Sequence, residues 1–336
     1  MEKSLASSHK RIKVLDGLPL LIILIVVCAA LYVCGLTGAF DKKILRYLFK
    51  IFLYITMGEM WNLMSGFTGM TSLGQQVFIG ISGYSIAVMT STYKMSFWMG
   101  ILAGAVIGVV FSLILSFVLF RMRGMYFAVA TWLVSEAVCT WFTSWKYVNQ
   151  GGGMTIKTSE IPKIPVLYTM ALTLCILACV VIYILLRTKT GLGLTAMRDD
   201  ADAASSVGVN IFKSKLLCYV ICSLFIGLAG GLFFLNKGSV LPSSSFGISW
   251  TVSMVFIVII GGVGTMSGPI VGAVIYVILE EFLSKYSGWS NIILGAIAIL
   301  VIIFLPDGIM GTLQKKLHFE IFSQKRFSET KKSIAK

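Results

Sequence analysis

Two stretches of this sequence combine glycine with hydroxyl and amide side chains in a pattern suited to holding a small polar solute. Residues 65–75 read SGFTGMTSLGQ, and residues 261–268 read GGVGTMSG before Pro269. Each interrupts a long apolar run. Unwound backbone offers free N–H and C=O groups, which a bilayer tolerates only where protein or a wet cavity covers them. Broken helices near the membrane midplane are where many transporters hold polar substrates, because half-helix ends supply partial charge. The plainer alternative for each stretch is a tight turn between two shorter spans.

Other groups able to do chemistry are few. Glu59 and Glu136 fall inside apolar segments, where a carboxylate is expensive and usually faces a bundle interior or cavity. A proton-coupled carrier would use such groups, although Glu59 adjoins Trp61 and Asn62 near a span end, within reach of the interface. Cys175/Cys179 and Cys218/Cys222 are each one helical turn apart, but no CxxC spacing exists and the only histidines, His9 and His318, lie in polar tails. The cysteines therefore read as small hydrophobes, and no metal site is expected. Intramembrane catalysis would need a His/Asp, Ser/Lys or metal-ligand set in the spans, so the chain does not read as an enzyme.

The elements that must position these residues are set by composition. Of 336 residues, 57% are hydrophobic and 12% charged, whereas a soluble domain carries about 25% charged residues. Mean hydropathy is +0.91. Apolar runs cover residues 18–36, 44–64, 76–92, 97–120, 125–145, 166–186, 214–236, 248–262, 269–284 and 290–305. The first follows the basic stretch KRIK at 10–13, as a secretory signal would. Its apolar core is too long for a signal, and valine instead of a small residue precedes Cys28 and Cys34, so it reads as a retained span. The expected fold is an all-α integral membrane protein, a polytopic bundle of about 8–10 transmembrane helices with two glycine-rich broken segments. Residues 1–18 form an N-terminal tail, 19–305 the transmembrane domain, and 306–336 a basic C-terminal tail.

The net charge of +14 sorts by side. With both termini cytoplasmic, the inside segments are 1–18, 121–124, 187–215 and the tail from Pro306, holding 18 of the 28 basic residues and six of seven arginines. The cluster Lys42, Lys43, Arg46 and Lys50 argues against this placement and makes the first crossing its weakest point. Basic loops against anionic lipid explain the charge, and no continuous basic face is left for nucleic acid. Glycines at four-residue spacing (Gly100, Gly104 and Gly108; Gly227 and Gly231; Gly264, Gly268 and Gly272) predict close helix packing.

The inside loop at 187–215 reads RTKTGLGLTAMRDDADAASSVGVNIFKSK. Thr195 is placed to cap a short helix over Ala196–Val207, with Gly208 ending it in the left-handed conformation. Ala196, Ala203 and Ala204 would then share a narrow face, flanked by Arg198, Asp199, Asp200 and Asp202, that a partner's groove could receive.

From about residue 44 to 311 these motifs, in order, resemble the membrane-spanning permease subunit of branched-chain amino-acid ABC importers. WNLMSGFTGMTSLGQQVFIGISGY at 61–84 is similar to that family's first-break signature through Asn62, Gly66, Gly69, Ser72, Leu73, Gly74, Phe78, Gly80, Gly83 and Tyr84. RDDADAASSVGVN at 198–210 resembles its ATPase-docking loop through Arg198, Asp200, Ala203, Ala204, Gly208 and Asn210. GLAGGLFF at 227–234 and GGVGTMSGPIVGA at 261–273 match as well. The resemblance implies a bacterial plasma-membrane subunit paired with a second permease, two cytoplasmic ATPases and an extracytoplasmic solute-binding protein. No GxxxxGK[ST] loop occurs here, so this chain would hold no cofactor, with ATP and magnesium bound by the partner ATPases.

Two departures stand out. Where the family usually has glutamate two residues before the paired alanines, this chain has Ala201, with Asp202 next to it. The family's outward Thr-Gly-Gly motif is here Gln150-Gly151-Gly152-Gly153-Met154-Thr155, which keeps Gly151 and Gly152 but leaves urea or short amides as alternative substrates. The expected substrate pathway is Asn62, Gly66, Gly69, Ser72, Gly74, Gln75, Glu136, Gly151 and Gly152. The first break would give a zwitterion polar groups from Asn62, Ser72 and Gln75 and an apolar wall from Phe67 and Phe78. The expected coupling set is Arg198, Asp199, Asp200, Asp202, Ala203, Ala204 and Gly208.

Overall fold

A long apolar run in lipid must satisfy its own backbone, and the helix is how one segment does so. The computed structural model describes residues 13–14, 29–35, 40–157, 161–284, 290–317 and 319–320, and the apolar runs among them are helices. Residues 29–35 form α1, the described part of the first run; its remainder lies outside the described residues. Then follow α2 (Lys42–Asn62), continued by a π-helical turn at Leu63–Phe67, α3 (Gln76–Ser91), α4 (Phe97–Leu119), α5 (Met125–Ser144) and α6 (Ile164–Arg187). Two short helices, α7 (Lys189–Asp199) and α8 (Ala201–Ser206), precede α9 (Ile211–Lys237). The chain closes with α10 (Pro242–Ser245), α11 (Ser249–Gly261), α12 (Gly268–Ser284), α13 (Ser290–Phe304) and α14 (Gly308–Leu317).

Six helices among the described residues are long and apolar enough to cross a membrane. The protein is an all-α polytopic membrane protein. Strands are confined to two-residue pairs: β1 (Lys13–Val14) runs parallel to β4 (Phe319–Glu320), and β2 (Met154–Thr155) antiparallel to β3 (Ser239–Val240). The first pair brings the two tails to one side of the bundle.

The core is built around α3, a 16-residue helix too short to be a lipid-exposed span. It packs between α4 and α9 because both neighbours present glycine to it. A Cβ on Gly104 would stand 2.9 Å from the Ser82 Cα, and one on Gly231 would stand 2.6 Å from the Ser82 Oγ. The glycine spacing thus does what small residues do between membrane helices, letting backbones approach. Aromatic rings fill the layer toward the α3 C-terminus, where Tyr84 and Phe246 stack at 6.0 Å and Phe142 lies 4.6 Å from Tyr84.

Hydrogen bonds define two ends of the bundle. At one end Arg123, between α4 and α5, meets Asp202 of α8 at 3.4 Å, and α7 reaches the end of α2. We call this the loop side. At the far side the Ile156 amide donates to the Gly238 carbonyl at 2.9 Å, and the Tyr47 hydroxyl donates to Glu281 at 2.7 Å. The exposed residues Lys42, Lys43 and Arg46 lie at this far side, where the sequence reading found its one contrary cluster.

The single helix expected over Ala196–Val207 is in fact two. Asp200 adopts an extended backbone, φ −154° and ψ 113°, and its Oδ1 accepts from the amides of Asp202 and Ala203 at 2.9 and 3.0 Å. An aspartate whose carboxylate takes two free amides is a better helix start than a helix interior, so it divides the segment. Thr188, not Thr195, caps α7; the Thr195 hydroxyl donates back within α7 to the Leu192 carbonyl at 3.0 Å. Gly208, at φ +90°, ends the second helix as expected. The three alanines therefore share no face: Ala204 is buried against the chain itself while Ala203 is exposed.

Candidate functional site

The two glycine-rich breaks, about two hundred residues apart in sequence, meet at the loop side. Asn62, the last residue of α2, joins them. Its Nδ2 donates to the Thr265 carbonyl at 2.9 Å and its Oδ1 accepts from the Gly264 amide at 2.8 Å. One primary amide, with a donor and an acceptor on the same plane, satisfies two backbone groups of a turn that cannot satisfy them itself. The fit requires glycine on both sides: a Cβ on Gly66 would lie 2.2 Å from the Asn62 Oδ1 and 2.6 Å from the Gly264 nitrogen. Gly264 itself sits at φ +75°.

A third segment enters the same point. Arg198, on the last turn of α7, sends its Nη1 to the Gly66 carbonyl at 2.7 Å. The π-helical turn at Leu63–Phe67 leaves carbonyls without intrahelical partners, and a cation there also meets the negative end of the α2 dipole. A Cβ on Gly264 would approach Arg198 Nη1 to 2.9 Å, so the guanidinium occupies the gap between the two glycines. Gly69 lies over the Arg198 backbone, where a Cβ would be 3.4 Å from the Arg198 Cα. Arg198, expected in the coupling set, is an exposed residue whose Nη1 nevertheless reaches the Gly66 carbonyl.

Beyond this junction the first break is held by side chains from several helices. The Trp61 indole donates to the Ser72 carbonyl at 3.0 Å, and the Leu73 amide donates to the Thr131 hydroxyl at 3.0 Å. Thr251 of α11 donates to the Gln76 side chain. Gly74 allows α5 to close in, since a Cβ there would stand 2.0 Å from the Thr131 carbonyl oxygen. Ser72 and Gln75 are buried, and the Gln75 Oε1 has no hydrogen-bond partner among the described residues. Phe67 and Phe78 are buried at 1% exposure each, so the polar segment does have an apolar wall.

The remaining expected pathway residues lie elsewhere. Gly151 and Gly152 belong to the far-side turn after Val148, where the Gly152 amide donates to the Asn149 carbonyl at 2.9 Å. Glu136 points away from the bundle, exposed on the outer face of α5 beside Leu133. Glu59, which its neighbours placed near an interface, is fully buried, and neither carboxyl oxygen has a partner among the described residues. Trp61 and Asn62 turn inward to the breaks, which carries Glu59 inward with them. Of the coupling set, Arg198, Asp199, Asp200, Asp202, Ala203 and Gly208 are exposed, beside Val207 at 79% exposure, and Ala204 is buried; the Asp200 carboxylate also caps α8. Trp61, Thr131 and Thr251 were not singled out from the sequence; each acts on a partner at least eleven residues away and no local pattern marks it. No group of three or more metal-ligating residues occurs among the described residues.

The model of the family described as branched-chain amino acid transport system / permease component matches residues 43–305. The chain is similar to the high-affinity branched-chain amino acid transport system permease protein LivM of Salmonella typhimurium, at 28% identity over 295 residues, covering 79% of this chain and 69% of that one. LivM of Escherichia coli is 27% identical over the same coverage. A probable branched-chain amino acid transport permease protein LivH of Methanocaldococcus jannaschii is 29% identical over 153 residues, covering 42% of this chain and 47% of that one. No solved structure matches the chain significantly. The chain belongs to the branched-chain amino acid transport permease family.

Proposed function

We propose that this family member is the transmembrane permease subunit of an ATP-driven importer for branched-chain or other hydrophobic amino acids, in a bacterial plasma membrane with both termini cytoplasmic. The observation that carries the reading is the hydrogen bond from Arg198 to the Gly66 carbonyl at 2.7 Å, because it ties a surface loop directly to the broken helix. On this reading the loop side is cytoplasmic. Two cytoplasmic ATPases, which bind the ATP and magnesium, press on α7 and α8, and the break moves with them. Asp199, Asp202, Ala203 and Val207 present the docking surface. Asp200 supports it by starting α8.

Two partners follow from the outer surface. A carboxylate exposed on a membrane helix is costly against lipid, so Glu136 supports a second permease covering α5, with the solute pathway along that seam. The exposed far-side loops would receive an extracytoplasmic solute-binding protein. Substrate would meet Ser72 and Gln75 of the first break, where the unpartnered Gln75 Oε1 is an acceptor suited to an ammonium group.

Reconstitution with the partner subunits tests this: ATP-dependent leucine uptake is expected, and uptake of urea but not leucine overturns the amino-acid assignment. A second reading, a proton-coupled carrier acting alone, draws on the buried and unpartnered Glu59. Uptake by the purified chain driven by a proton gradient would favour it. Replacing Asp199 and Asp202 by alanine while keeping the Asp200 cap is expected to uncouple ATP hydrolysis from uptake. Wild-type coupling in that double variant would reduce the loop to a connector.

A further inference from the structure

We infer that Arg198 is an interlock: its guanidinium, wedged between Gly66 and Gly264, holds the two breaks together, and withdrawal of α7 releases them. This rests on the permease reading, which supplies the force that moves α7.

Three segments that are remote in sequence end at one point, and each depends on the other two. Asn62 of α2 binds the second break through the Gly264 amide and the Thr265 carbonyl. Gly66, four residues later, has its carbonyl taken by Arg198. A Cβ on residue 264 would come within 2.9 Å of the Arg198 Nη1, so glycine there leaves the guanidinium its present place. If α7 moved away from the bundle, the Gly66 carbonyl would lose its charged donor and the π-helical turn its C-terminal cation. The Asn62 bridge would then be the only described side-chain tie across the breaks. Arg198 is also positioned to feel such a move. Asp200, two residues on, ends α7 and starts α8, and α8 in turn meets the α4–α5 turn through the exposed Arg123–Asp202 pair at 3.4 Å. A push on α8 reaches the gap between the breaks through a linker of a single residue.

Guanidinium chemistry suits the position. A planar donor group can lie flat between two backbones while still directing an N–H at a carbonyl, whereas a lysine ammonium carries the charge as a compact point. The charge alone should therefore restore part of the tie, and the shape the rest.

The test uses the full chain in inside-out membrane vesicles, with the buried Ser267 within the second break replaced (Ser267→Cys) as a reporter and a membrane-impermeant maleimide as probe. In the parent the reporter is expected to label slowly against the background of native cysteines. Arg198→Ala should label at least fivefold faster. Gly264→Ala, which crowds the guanidinium without removing its charge, should move the rate the same way, and Arg198→Lys should fall between parent and alanine. Equal rates in parent and Arg198→Ala overturn the interlock while leaving the permease reading intact. Faster labelling with no ATP-driven uptake by the parent keeps the interlock and overturns the permease reading. In the reconstituted complex, Arg198→Ala should hydrolyse ATP without proportionate uptake. Full coupling in that variant also overturns the proposal, and a protein that merely misfolds would show neither hydrolysis by the complex nor the graded lysine result.

Discussion

The two glycine-rich breaks resemble each other in sequence and differ in what holds them. The second packs backbone on backbone: the Gly262 amide donates to the Val258 carbonyl at 2.8 Å, the Thr265 hydroxyl donates to the Gly262 carbonyl at 2.8 Å, and a Cβ on Gly261 would strike the Gly268 carbonyl oxygen at 2.0 Å, with Asn62 satisfying the Gly264 amide and the Thr265 carbonyl from outside. Glycine serves there to let two arms of one turn touch. The first break also has local ties, among them the Met70 amide to the Met64 carbonyl at 2.8 Å, but more of its support comes from side chains outside it, Trp61, Thr131 and Arg198, the last two from other helices. A segment secured by its own backbone moves as a block, while one secured by remote side chains can be let go a contact at a time. By this contrast the second break, with Gly261 packed on Gly268, is expected to be the stiffer side of the junction and the first the more yielding side.

Substitutions should break this contrast in graded fashion. Gly261→Ala forces a methyl into backbone, which no side-chain rotation relieves, and should destabilise the fold by on the order of 3 kcal/mol. Thermal unfolding in detergent would show it, and a near-native midpoint would mean the second break is not the rigid one. Asn62→Ala strands the Gly264 amide and the Thr265 carbonyl where both are partly buried, for a loss of about 2 kcal/mol. Thr131→Ala removes one support of the first break at the Leu73 amide and should cost about 1 kcal/mol. Ser72→Ala should be the mildest, about 0.5 kcal/mol, because its hydroxyl accepts only a long bond from the Gly74 amide at 3.4 Å. That small structural effect makes it informative. If uptake by Ser72→Ala falls tenfold while stability holds, the first break binds substrate; if uptake and stability fall together, its role is structural.

Much of this was legible in the sequence, for a reason particular to membranes. Lipid forces every apolar run to be a helix, so α2 through α6, α9 and α11 through α13 fall within a few residues of the runs that announced them. Glycine clusters marked both breaks because so few other residues allow irregular backbone there. What escaped was decided by single side chains acting over distance. Nothing near Arg198 in sequence signals Gly66, 132 residues away, and its acidic neighbours suggested that it faced outward with them. The division of the loop into α7 and α8 turned on one carboxylate: Asp200 in a run of good helix formers is a small signal, yet two amides at its Oδ1 outweigh the alanines. Glu59 was misplaced because Trp61 and Asn62 look like interface residues until their partners in the breaks are known.

Glu136 bears on how the protein is made as well as on how it works. On the outer face of α5, a carboxylate left to acyl chains costs about 3 kcal/mol at the centre of a helix. If a second permease covers α5 as proposed, that penalty falls on the unassembled chain and is relieved on assembly where the partner supplies a donor or cation to the carboxylate. It is enough to shift the balance between orphan and assembled forms by about a hundredfold, since each 1.4 kcal/mol is a factor of ten. On that proposal, one acidic side chain would label the chain as unfinished until a partner arrives and would make the amounts in which the subunits are synthesised matter to the fate of each.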